Sequence, residues 1–170
     1  MDTEKIIENC KKNLDRGRTP ATGIGVFVCV QEGENFLMRL RTEKDSITGQ
    51  DLSGNWELIG GGVELQDFDG RDYQSAIFNA LKRELMEEAG IKLLFLDPTL
   101  LLIPAWHGKN GLIDLAFVVK ASWNNVKETP KFHELLAEGK IKFFTSREIT
   151  DLNIISPRMR FMAIEQAHFC

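Results

Sequence analysis

Residues 83–91 read Arg-Glu-Leu-Met-Glu-Glu-Ala-Gly-Ile, and three consecutive glycines, Gly60, Gly61 and Gly62, stand upstream of them. The periodicity of the intervening chain predicts a helix over residues 73–89, with Gly90 as its C-cap. At roughly 100° per residue, Ile77, Ala80 and Leu81 share a face with Glu84, Glu87 and Glu88, while Asn79, Lys82 and Met86 lie opposite. An apolar stripe that should face a core therefore ends in three carboxylates. Glu84 and Glu88 form an unfavourable i,i+4 like-charge pair. The helix macrodipole also disfavours anions near its C-terminus, and burial without a counter-ion would be costly. A bound divalent cation removes all three objections, and clustered carboxylate oxygens suit a hard ion such as Mg2+ or Mn2+. An isolated E-x-x-E-E helix end is usually a solvated face; the glycines before this one and the apolar stripe leading into it argue for a site.

The rest of the chain reads as one domain spanning residues 1–170, a length that buries a sizeable core without disulfides or metal staples. Residues 23–30 are β-branched and apolar, as in a strand buried on both faces. Residues 31–35 form a hairpin turn into a paired strand over 36–41. That strand puts Phe36, Met38 and Leu40 on one face and Leu37, Arg39 and Arg41 on the other. A short strand at 56–59 runs into the glycines, and further strands are predicted at 91–96, 100–106, 112–119 and 141–144. Helical patterns occur at 3–14 and 156–168, and residues 132–138 hold a helical turn in a polar stretch. Strands mixed with two or three helices indicate an α/β or α+β domain.

Charge is distributed unevenly. The chain carries 25 acids and 21 bases, which gives no general attraction to nucleic acid or to an anionic membrane. Residues 64–88 hold seven acids against three bases, and the remainder is balanced, so the whole surplus sits at the candidate site. Cys10, Cys29 and Cys170 are too few and too widely spaced for a disulfide framework or a zinc site, which fits a cytoplasmic setting. The charged N-terminus has no signal-peptide pattern, and no apolar run reaches membrane-spanning length. The expected partners therefore exclude a membrane and disfavour nucleic acid.

The segment resembles the Nudix box, G-x5-E-x7-R-E-U-x-E-E-x-G-U, with U a bulky aliphatic residue. Arg83, Glu84, Leu85, Glu87, Glu88, Gly90 and Ile91 match its second half, and Gly61, Val63 and Glu64 its first, over residues 61–91. The box glutamate falls on Asp67. Fifteen residues rather than seven separate it from Arg83, an insertion of about eight that either extends the helix or lengthens the loop.

The resemblance implies an α/β/α sandwich with a mixed sheet between helices, and a metal-dependent hydrolase of nucleoside diphosphates linked to another moiety. It assigns Glu84, Glu87, Glu88 and the Gly60 carbonyl to Mg2+ or Mn2+, and it gives Arg83 the task of holding the carboxylates. The general base is Glu84, or an acid before the last strand, Glu138 or Glu134. Arg41 and Arg39 are expected at phosphate, with Gly61 and Glu64 beside the substrate. ADP-ribose or a nucleoside diphosphate sugar is the preferred substrate, with (d)NTPs or dinucleoside polyphosphates as alternatives. A homodimer is compatible with the resemblance. The reading from another class is a Nudix-fold nucleotide-binding regulatory module without catalysis, which the three retained glutamates disfavour. Trp106, His107 and Phe132 are candidate base-stacking residues whose simpler role is core. Asp67, Asp69 and Asp72 fail the spacing of an EF-hand loop.

Overall fold

The computed structural model describes residues 24–42, 51–68, 73–95, 100–103 and 115–152. The helices expected at 3–14 and 156–168 lie outside them, as do Trp106, His107, Asp69 and Asp72.

The run of Val, Phe and Ile at Ile24–Glu32 forms β1, which turns at Gly33 and pairs antiparallel with β2, Asn35–Leu40. On its other edge β1 runs parallel to β7, Leu115–Ser122. Side chains of β1 alternate between two cores, with Val26, Val28 and Val30 on one side and Phe27 and Cys29 on the other. Burial on both faces is what its continuous apolar sequence requires. In β2 the alternation holds as expected, with Phe36 and Met38 in one core and Leu37 in the other.

The strand expected at 56–59 is divided. β3, Trp56–Glu57, pairs with the far end of β2, setting Arg39 opposite Glu57. After Leu58 the chain changes partner, and β4, Ile59–Gly62, pairs with β1 at Gly25–Val28. The three glycines are thus part of a strand. Gly60 has φ 152°, and a Cβ there would stand 2.1 Å from the Val26 carbonyl oxygen, so only glycine lets β4 approach β1 this closely. β6, Leu100–Ile103, pairs with β7, and β9, Ile141–Thr145, pairs with β2, completing a mixed seven-stranded sheet. β5, Ile91–Leu93, and β8, Val126–Glu128, make a separate antiparallel pair.

Helix α1, Tyr73–Glu84, covers one face of the sheet through Ala76, Ile77, Ala80 and Leu81. Burying a side chain such as Leu81 contributes about 1.5–3 kcal/mol. Helix α2, Pro130–Ala137, adds Phe132 to the same core. It is a full helix where the sequence suggested one turn, starting after Thr129 with Pro130 in its first turn. Phe132 is therefore core rather than a base platform.

Helix α3, Ser146–Asp151, lies on the opposite face, where Ile149 meets Phe36, Met38 and Phe144. The sequence reading missed it, although Thr145 and Glu148 form the capping box that announces such a start. The result is the expected α/β/α arrangement. Among the described residues no helix is long and apolar enough to cross a membrane.

Candidate active site

The site lies where β4 meets the end of α1. The chain does not continue as an α-helix through the acidic cluster: Leu85–Ala89 forms a π turn, ended by Gly90 at φ 66°. A turn closed by i→i+5 bonds advances less per residue than the roughly 100° of an α-helix. Glu88 consequently falls closer behind Glu84, and Glu87 swings outward. The wheel placed all three carboxylates inward. In the structure Glu84 and Glu88 are mostly buried, whereas the Glu87 side chain is 59% exposed. Single π turns of this kind are frequent at functional sites.

Two guanidinium groups organise the acids. Arg83 grips Asp67 with a fork, Nε to Oδ1 at 3.1 Å and Nη2 to Oδ2 at 3.0 Å. Its Nη2 also donates to the Gly62 carbonyl at 2.8 Å, and its Nη1 to Glu84 at 2.6 Å and to Glu87 at 3.5 Å. These contacts, the hydrogen bonds to Asp67 first, raise the pKa of Arg83 further and keep it charged. Asp67 is buried in the short 3-10 turn Leu65–Asp67, where its Oδ2 accepts from the Glu64 N–H at 2.8 Å and its carbonyl from Asn79 at 2.9 Å.

Asp67 therefore meets Arg83 despite the insertion. Ten of the fifteen intervening residues are in α1 and five precede it. Since the motif allows seven, at least three of the extra residues extend the helix.

The second guanidinium is on β2. Arg39 Nε and Nη2 both contact Oε1 of Glu57, and Nη1 reaches Oε1 of Glu88 at 2.8 Å. The other oxygen of Glu88 accepts from the Gly60 N–H at 2.9 Å. Arg41 Nη1 stands 3.3 Å from Glu57 Oε2. Glu57, only 4% exposed, is a site residue that sequence reading missed. Its signal was one acid in a short strand, informative only once register sets it opposite Arg39.

Burial dominates the electrostatics. It pushes the Glu88 carboxyl up to about 8, against the opposing pull of Arg39 and the Gly60 N–H, with Glu84 and Glu57 adding to the rise. Burial also raises the pKa of Glu84, partly offset by Arg83. Gly61 packs against the same group: a Cβ there would sit 2.4 Å from Glu84 Oε1.

Of the expected residues, Gly60, Gly61, Arg39, Arg83, Glu84 and Glu88 converge, with Glu87 and Arg41 at the margin. Glu64 contributes its backbone to Asp67. Glu138 lies apart from this hydrogen-bonded array, exposed at the end of α2 and paired with Lys140 at 2.7 Å. Glu134 is exposed on α2.

Among the described residues no three acidic, histidine or cysteine side chains form a ready ligand set. Mg2+ does not demand one, because it is commonly held by one or two carboxylates while keeping water and accepting substrate phosphate. Two mostly buried carboxylates whose ionisation burial disfavours, beside an exposed third, fit such an ion.

No protein-family model matches the sequence, and neither does a curated protein. Solved structures do. A Nudix hydrolase from Nitrosomonas europaea superposes with a TM-score of 0.57 at 17% identity, over 86% of this chain and 88% of that one. A MutT Nudix hydrolase from Burkholderia pseudomallei gives 0.51 at 20% identity, over 84% and 95%. NrtR from Shewanella oneidensis, in a complex with a 27mer DNA, gives 0.52 at 11% identity, over 86% of this chain and 61% of that one. The chain therefore has the Nudix fold.

Proposed function

We propose that this single domain is a Nudix hydrolase that cleaves the pyrophosphate bond of a nucleoside diphosphate linked to another moiety. ADP-ribose or a nucleoside diphosphate sugar is the leading substrate, and the setting is the cytoplasm. The observation that carries this reading is that the Asp67–Arg83–Glu84 network and Glu88 are both held against the glycine strand.

Glu84, Glu87, Glu88 and the Gly60 carbonyl would hold Mg2+ or Mn2+. The ion would neutralise phosphate oxygens and lower the pKa of a bound water. Arg83 fixes Glu84 by a short ion pair, and Asp67 fixes Arg83. Arg39 and Arg41 offer positive charge to the phosphates from β2, and Gly61 and Glu64 line the approach. Glu84 lies within the hydrogen-bonded array and is the favoured general base. Glu138 is the alternative base. A Glu138→Gln variant with an unchanged single-turnover rate, together with a strong defect in Glu84→Gln, assigns the role to Glu84.

The test is phosphate release with Mg2+ or Mn2+ from ADP-ribose, nucleotide sugars, dinucleoside polyphosphates and (d)NTPs. Release from one class at micromolar enzyme supports the reading, and none from any class overturns it. The second reading is a regulatory module, favoured by the likeness to NrtR, whose structure is described with DNA. It predicts nucleotide binding without turnover. The retained Glu84, Glu87 and Glu88 weigh against it.

A further inference from the structure

Glu57 belongs to no motif, yet it is among the most buried charged residues described, and both of its carboxylate oxygens contact an arginine. Its place follows from topology. β3 is only two residues long, and its register with β2 sets Glu57 opposite Arg39. The Arg39 guanidinium is gripped along its Nε/Nη2 edge by Glu57, and its Nη1 meets Glu88. One cation thus bridges buried Glu57 and mostly buried Glu88, two acids with different prospects. Glu57 faces Arg39 and Arg41, whereas Glu88 lies in the π turn beside Glu84 and the glycine strand.

Charge makes the arrangement incomplete. The bonded network contains Asp67, Glu57, Glu84, Glu87 and Glu88 against Arg39, Arg41 and Arg83. Fully ionised, these described groups sum to two net negative charges, the complement of one divalent cation. That cation needs a Glu88 oxygen, and Arg39 already contacts Oε1.

We propose that Glu57 is a positioning residue that tethers Arg39 at the site, so that Arg39 serves as the resident counter-cation of Glu88 and yields Oε1 to a divalent cation without leaving. The inference rests on the metal-dependent reading given above. Its consequence is an ordered exchange. While the cation is absent, Arg39 Nη1 occupies Oε1 of Glu88. Once Glu88 turns to the cation, Glu57 still holds the opposite edge of the guanidinium, and Nη1 is released toward an anion bound at the cluster. A purely structural ion pair would not exchange.

The decisive measurement is side-chain 15N NMR of the arginines in the full chain, titrated with Mg2+ alone. The expected result is that the Arg39 Nη1 resonance shifts with Mg2+ saturation while Arg39 Nε stays in place. In Glu57→Gln the same titration should move both. Isothermal titration of Mg2+-loaded protein with inorganic pyrophosphate gives an independent readout. Glu57→Gln and Arg39→Gln should each weaken binding on the order of tenfold, the worth of one hydrogen bond to a charged group. The double variant should lose no more than either alone, because one residue acts through the other.

An Nη1 resonance unmoved by Mg2+, or additive losses in the double variant, overturns the proposal. If Glu57→Gln does not fold, Glu57→Asp replaces it, and the wild-type titration needs no variant. Hydrolysis that persists without the exchange sinks this inference alone. An intact exchange with no hydrolysis of any substrate sinks the functional reading alone.

Discussion

Arg83 and Arg39 each hold buried carboxylates, but Arg83 closes a loop within one motif and Arg39 joins three separate segments. The partners of Arg83 are Asp67, Gly62, Glu84 and Glu87, all on the box and its glycine strand. Those of Arg39 are Glu57 on β3 and Glu88 in the π turn. The first is a fork of matched nitrogens and oxygens, a geometry that fixes orientation. In the second, two nitrogens share one oxygen and the third reaches a carboxylate that the proposed chemistry needs. One arginine builds the site, and the other is placed to respond to what enters it.

The largest expected effect tests the first half of that contrast. Arg83→Ala leaves Asp67 and Glu84 without their cation and should cost about 3–5 kcal/mol in urea unfolding, as when one partner of a buried pair is removed. Arg39→Ala should cost clearly less, because Arg41 still faces Glu57 and Glu88 can take a proton. Equal losses would erase the distinction.

Glu88→Gln should lower turnover at least ~10²-fold with the far-UV CD spectrum retained, since it removes charge from the transition state. Near-wild-type rates would move the chemistry elsewhere. Gly61→Ala follows: its Cβ would displace the Glu84 carboxylate, and turnover should fall roughly ten- to a hundredfold, as for a catalytic group misplaced by about 1 Å.

The smallest effect is on pH. The folded chain holds the Glu88 proton more tightly than the unfolded chain does, with a pKa of about 8 against the ordinary 4.5. Its stabilising contribution is complete below about 4.5 and is lost as pH rises through 8. Metal-free protein should therefore melt at a lower temperature at pH 8 than at pH 5.5. The slope should flatten in Glu88→Gln; an unchanged slope would show that other groups set it.

What was legible in the sequence divides along the same line. The two-sided burial of β1 and the alternation of β2 follow from periods that any strand must obey, and both are as the residues predicted. The Arg83 side was legible because its partners share a motif, and Asp67 does bond Arg83 even with the motif's spacing broken. Glu57 was not, because nothing local separates a buried strand acid from a surface one. Nor was the π turn, which shows itself in partners rather than in composition: Gly60 and Arg39 receive Glu88 while Glu87 turns to solvent. The wheel assumed one angular step throughout, and the error appeared where that step changes.

The Asp67–Arg83 fork also bears on chain length. Doubling the chain between two residues that must meet costs only about 0.6 kcal/mol of closure entropy. A single hydrogen bond to a charged group contributes about 1.5–3 kcal/mol, and the fork has two. The clasp therefore tolerates a change in the number of residues it closes over. A motif written as fixed spacing overlooks that freedom. In this chain an acid and an arginine meet at the glycine strand across fifteen intervening residues, and closure entropy leaves that length open to drift, and with it the room for new loops beside the site.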